Sequence, residues 1–169
     1  MSTDNTKRMV LSILVDNTSG VLSRVSGLFS RRGYNIDSLT VGETENPLIS
    51  RMTVVVTGDE NILEQITKQL SKLEDVIEIV ELLPDSSVCR ELILVKVVAG
   101  QKERTELNTI ADIFRAKIVD VTSDFMMVEL TGTSNKIEAF LKLLDGFEIS
   151  ELVRTGLTGL TRGFTSIDD

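Results

Sequence analysis

Two rounds of one apolar rhythm constrain this chain more than any other feature. Short runs rich in β-branched residues alternate with stripes at helical spacing. In the first round residues 9–15 form an apolar strand, and Val21, Leu22, Val25, Leu28 and Phe29 mark one face of a helix that Gly33 stops. Residues 34–41 make a second strand, less apolar and therefore expected at a sheet edge. The turn Gly42-Glu43-Thr44-Glu45-Asn46-Pro47 leads to a third strand at 52–57. A second helix follows, with Asp59 or Asn61 as N-cap and Asn61–Glu64 as a capping box. Its buried stripe is Ile62, Leu63, Ile66, Leu70 and Leu73, and residues 76–82 close the round as a fourth strand.

The order is β-α-β-β-α-β, the split βαβ of ferredoxin-like folds. After the break Leu83-Pro84-Asp85-Ser86-Ser87 it returns. Strands are expected at 92–99, 118–121, 125–131 and 147–154. Helices are marked by Leu107, Ile110, Ala111, Ile113 and Phe114, and by Ile137, Ala139, Phe140, Leu143 and Leu144. Thr57-Gly58-Asp59-Glu60-Asn61 and Thr131-Gly132-Thr133-Ser134-Asn135 occupy equivalent strand-to-helix corners. The expected architecture is α+β: two consecutive βαββαβ domains at 7–83 and 88–155, then a flexible Gly/Thr-rich tail at 156–169.

Composition narrows function by exclusion. A net charge of −8 argues against a general nucleic-acid or anionic-membrane binder. The RNA-binding variant of this fold stacks bases on sheet aromatics, yet aromatics are only 4% here and residues 52–56 contain none. No apolar run approaches the roughly 18 residues of a membrane span, and residues 1–8 are polar, so no membrane partner and no secretory signal are expected. One cysteine, Cys89, fits a reducing cytoplasm and a structural role. The chain has no histidine, which removes the commonest general base and zinc ligand. No dinucleotide fingerprint or P-loop occurs. A catalytic site, a metal and a cofactor are therefore not expected in this chain.

What survives is a pair of amide-bearing segments. Asp16-Asn17-Thr18-Ser19-Gly20 feeds the first helix, where unpaired N–H groups and the positive dipole end suit a small carboxylate. Gly33-Tyr34-Asn35-Ile36 places a second amide at the start of the next strand. Singly, Asn17 is explained as a turn residue or cap, Gly20 by a tight turn, and Asn35 by an awkward backbone angle. Jointly they point to binding of a small molecule rather than its transformation.

These segments carry a resemblance. Leu14-Val15-Asp16-Asn17-Thr18-Ser19-Gly20-Val21-Leu22-Ser23-Arg24-Val25, with Gly27-Leu28-Phe29-Ser30-Arg31-Arg32-Gly33-Tyr34-Asn35-Ile36-Asp37-Ser38-Leu39-Thr40-Val41, resembles an ACT domain. With Ser50-Arg51-Met52-Thr53, Ile118-Val119-Asp120-Val121-Thr122 and Arg154-Thr155-Gly156-Leu157-Thr158-Gly159-Leu160-Thr161-Arg162-Gly163, the chain resembles the small regulatory subunits of acetohydroxyacid (acetolactate) synthase along nearly its whole length. The resemblance implies a non-catalytic subunit that activates a large catalytic subunit in branched-chain amino acid biosynthesis and makes it sensitive to valine. Thiamine diphosphate, Mg and FAD would belong to that partner. The effector would sit between two ACT domains of a homodimer, with Asn17, Ser19, Gly20, Val21 and Leu22 from one chain and Asn35 and Ile36 from the other.

The chemistry of an amino acid fits that implied site. N–H groups at 20–22 would meet its carboxylate, amide or backbone oxygens its ammonium, and Val21, Leu22 and Ile36 its side chain. A single methylene is worth only about 1–3 kcal/mol, so leucine and isoleucine would compete. The rival reading is a stand-alone amino-acid-sensing ACT protein that regulates another enzyme or a transporter.

Overall fold

A computed structural model of the chain describes residues 5–163. It contains two compact units. The first holds the residues up to Cys89 and those from Leu157 onward; the second is Arg90–Gly156. Both are βαββαβ sandwiches of helices on one face of an antiparallel sheet, the expected α+β class.

In the first unit the strands are β1 (Lys7–Asp16), β2 (Ile36–Glu43), β3 (Ile49–Gly58) and β4 (Val76–Glu81), with helices α1 (Val21–Arg31) and α2 (Glu60–Ser71). Strand order is β2-β3-β1-β4, so β2 is an edge, as its weaker apolarity predicts. Alternation in β1 sends Met9, Leu11, Ile13 and Val15 toward the helices, where they meet Val25, Phe29, Met52, Val54, Ile66 and Leu70 in one dry core. The α1 terminus forms a Schellman motif around Gly33 at φ +70°: Tyr34 N–H donates to Phe29 O at 3.0 Å and Gly33 N–H to Ser30 O at 3.2 Å. For α2 the N-cap is Asp59, whose Oδ1 accepts from Ile62 N–H at 2.8 Å. The Asn61–Glu64 box is thereby corrected, since Asn61 already lies within the helix.

The second unit repeats the pattern with β5 (Ser87–Val98), α3 (Gln101–Phe114), β6 (Lys117–Val121), β7 (Phe125–Gly132), α4 (Ser134–Leu143) and β8 (Ile149–Arg154), in strand order β6-β7-β5-β8. Its core joins Ile93, Val95, Val97, Leu107, Val128, Leu130, Ile137 and Phe140, with Phe114 and Phe140 edge to face at 5.4 Å. The corner echo has a physical basis: Thr133 caps α4 as Asp59 caps α2, accepting from Lys136 N–H at 3.3 Å. Glu91, only 4% exposed, is engaged by both Arg154 (2.8 and 3.0 Å) and Ser134 (2.8 Å).

The expected flexible tail at 156–169 requires correction over its first half. Thr158–Thr161 is a short strand, β9, paired with β5. Leu157 is buried, its carbonyl accepts from Thr40 Oγ1 at 3.2 Å, and Arg162 N–H donates to Ser86 O at 2.8 Å. Thr40 lies on the face of the first sheet that turns away from α1 and α2, so this strap runs against the sheet's outer side. Gly159 makes the close approach possible, because a Cβ there would stand 2.5 Å from Cys89 Sγ and 2.8 Å from Val88 O. The expectation for residues 164–169 lies outside the described residues. No helix among the described residues is long and apolar enough to cross a membrane.

Candidate effector site

Among the four helices of the described residues, α1 is the exception at its N-terminus. The others carry a side chain there: Asp59 on α2, Thr133 on α4, and Glu103 on α3, whose Oε2 accepts from Gly100 N–H at 3.1 Å. Helix α1 has Gly20 as N-cap in the left-handed region (φ +84°), no side-chain cap and no acidic residue in its first turn. The bond from Val21 N–H to Thr18 O is long at 3.5 Å, and the first firm helical bond is Arg24 N–H to Gly20 O at 3.0 Å. Intervening N–H groups therefore face outward with the positive end of the dipole behind them.

Arg24 adds charge. Its Nη1 would lie 3.0 Å from a Cβ at Gly20, so the guanidinium stands beside the glycine. Asp75 holds it through two hydrogen bonds, at 2.6 and 3.1 Å, and that hydrogen-bonded carboxylate raises the Arg24 pKa above its ordinary value. The cation is permanent at any pH the fold survives.

On the other side, Asn17 ties the strand exit to the β2–β3 turn. Its backbone N–H donates to Leu48 O at 2.8 Å, and its Nδ2 donates to Pro47 O at 2.8 Å and Glu43 Oε2 at 3.3 Å. Both side-chain partners accept only, so the amide orientation is fixed and Oδ1 is left facing the opposite way.

Asn17, Ser19, Gly20, Val21 and Leu22 thus share one corner of the fold. The side chain of Val21 is in the core, so at this corner Leu22, at 47% exposed, offers the apolar surface. Asn35 and Ile36 do not join them within one chain. They follow the far end of α1, about 16 Å along the helix axis at 1.5 Å per residue. Strand register agrees: Ile36 is level with Val56 and Met9, whereas Glu43 is level with Ser50 and Val15. Local pattern does not single out Arg24 or Glu43, because the partners that give them meaning lie 51 and 26 residues away. Among the described residues no cluster of His, Cys, Asp and Glu is arranged to hold a metal.

Comparison with known proteins assigns both halves. Residues 11–78 match the family model for the AHAS small subunit-like ACT domain, and residues 90–163 match the model for the small subunit of acetolactate synthase. The probable acetolactate synthase small subunit of Methanothermobacter thermautotrophicus is 54% identical over 91% of this chain and 92% of its own length. The isozyme 3 small subunit of Escherichia coli is 51% identical over 92% of this chain and 96% of its own. The crystal structure of the acetolactate synthase small subunit from Thermotoga maritima superposes with a TM-score of 0.86 at 40% identity, covering 94% of this chain and 99% of that one. With both units matched in order and relatives aligned from end to end, the chain belongs to the acetolactate synthase small-subunit family.

Proposed function

We propose that this chain activates a large catalytic acetolactate synthase subunit and carries its feedback inhibition by valine. The catalytic partner would hold thiamine diphosphate, Mg and FAD, and the assembly would work in the cytoplasm. The observation that carries the reading is the uncapped, cation-flanked start of α1, shaped for a carboxylate, beside an Asn17 that the β2–β3 turn holds in place.

A homodimer explains how the remaining residues reach this corner. Strand β2 ends its sheet and carries the half-exposed Val41. Two copies pairing antiparallel through β2 would bring the start of one strand opposite the end of the other. Asn35 and Ile36 of one chain would then face the Asn17–Gly20 corner of the second. An effector held by both chains binds the paired arrangement more tightly than any alternative, and that difference in affinity is what couples it to catalysis.

The test is calorimetric titration of the full chain with L-valine, followed by reconstitution with the catalytic subunit and an assay of acetolactate formation. Saturable heat, faster turnover on adding this chain and inhibition by valine are expected. Absence of heat and of any thermal shift at millimolar valine would refute the effector reading.

A further inference from the structure

We infer that Glu43 reads the effector's ammonium group, and so makes the corner at α1 selective for amino acids over other carboxylates. The inference rests on the effector reading above and names a residue and a charge within it. Three observations converge on Glu43. Its Oε2 lies 3.3 Å from Asn17 Nδ2, the residue is exposed, and among the described residues it has no ion-pair partner. It ends β2 beside a tightly hydrogen-bonded turn: Thr44 N–H and Oγ1 both donate to Ile49 O at 2.9 Å, and Leu48 N–H donates to Asn46 Oδ1 at 3.0 Å. Such a turn fixes the backbone from which Glu43 reaches Asn17 before any ligand arrives.

Register selects Glu43 over its neighbour Asp16. Leu39 and Val41 pair with Val54 and Met52, which face the helices, so Glu43 two positions on lies on the same side of the sheet as α1. Asp16 follows the buried, helix-facing Val15 and is turned to the opposite face. The corner is therefore polarised, with the open N–H groups at the start of α1 and the Asp75-paired Arg24 on one side of Asn17 and Glu43 on the other. A zwitterion matches that polarity; a simple carboxylate matches half of it.

The experiment is a charge ladder at two positions of the same turn. L-valine affinity is measured by calorimetry on full-length Glu43→Gln and Glu43→Lys, and on Glu45→Gln and Glu45→Lys as controls, with circular dichroism to confirm folding. Glu43→Gln is expected to weaken valine about five- to tenfold and Glu43→Lys further, while both Glu45 variants bind as wild type. A glutamine at 43 still accepts from Asn17, so a residue that merely orients the amide would leave Glu43→Gln silent, and that result overturns the inference. Equal losses at 43 and 45 also overturn it, because only the general field of the turn would then matter. A wild-type chain that binds no valine overturns the effector reading itself, and this inference with it.

Discussion

Replacing Gly20 separates stability from binding in a way that unfolding cannot imitate. At φ +84° any L-residue strains the backbone by about 1–2 kcal/mol. Gly20→Ala also brings a Cβ to 3.0 Å from Arg24 Nη1, and the guanidinium is not free to swing away because Asp75 grips it at 2.6 and 3.1 Å. At roughly 4–8 °C per kcal/mol for a unit of this size, the melting midpoint should fall by about 5–10 °C. Gly20→Asp suffers the same strain but sets a carboxylate at an uncapped helix start, which returns about 0.3–1 kcal/mol. The aspartate variant should therefore be at least as stable as the alanine variant. For valine the order reverses. Alanine leaves the first-turn N–H groups open, whereas aspartate occupies them and repels the incoming carboxylate, weakening binding at least tenfold relative to alanine (about 1.4 kcal/mol). Calorimetric melting and valine titration of both variants provide the assay. An aspartate variant that binds valine as tightly as the alanine variant would refute the carboxylate site at α1.

Other consequences can be checked more simply. Gly159→Ala must push a methyl group into Cys89 Sγ and the Val88 carbonyl, costing about 1–3 kcal/mol, and should speed hydrogen exchange at residues 158–161. Arg115 adopts φ +56° at the end of α3, so Arg115→Gly should raise stability to denaturant by up to about 1 kcal/mol. Hydrogen bonding and charge from Lys96 hold the Glu151 carboxyl below its ordinary pKa. The unfolded chain then binds the proton first, so this contribution is present above the ordinary carboxylate range and is lost as pH falls through the lowered value. Lys96→Met should accordingly flatten the acid side of a melting-temperature profile and leave its shape unchanged from about pH 6 to about pH 8.

The element order was legible because both helix and strand periods are strong where cores are deep. Ile13, Phe29, Val54 and Leu70 announce their buried faces in the local pattern alone. The edge position of β2 was legible from its diluted apolarity, and Asn17 and Gly20 from helix-start chemistry. What escaped was long-range. The strap at 158–161 reads as a loose Gly/Thr tail because its glycine serves a close approach to Cys89, seventy positions earlier in the chain, and no local pattern encodes that. The first half of β5, Ser87-Val88-Cys89-Arg90-Glu91, lacks alternation, since β9 supplies a strand partner near the end of the chain. Arg24 and Glu43 likewise acquire meaning only when Asp75 and Asn17 arrive beside them.

Because β9 belongs to the first unit, that unit is written in two pieces with an entire second fold between them. On the ribosome its outer sheet surface waits bare until some seventy further residues have emerged. A fragment ending at Cys89 should therefore be sticky and poorly behaved, whereas joining Cys89 directly to Leu157 through a short turn should give a self-contained miniature of the first unit.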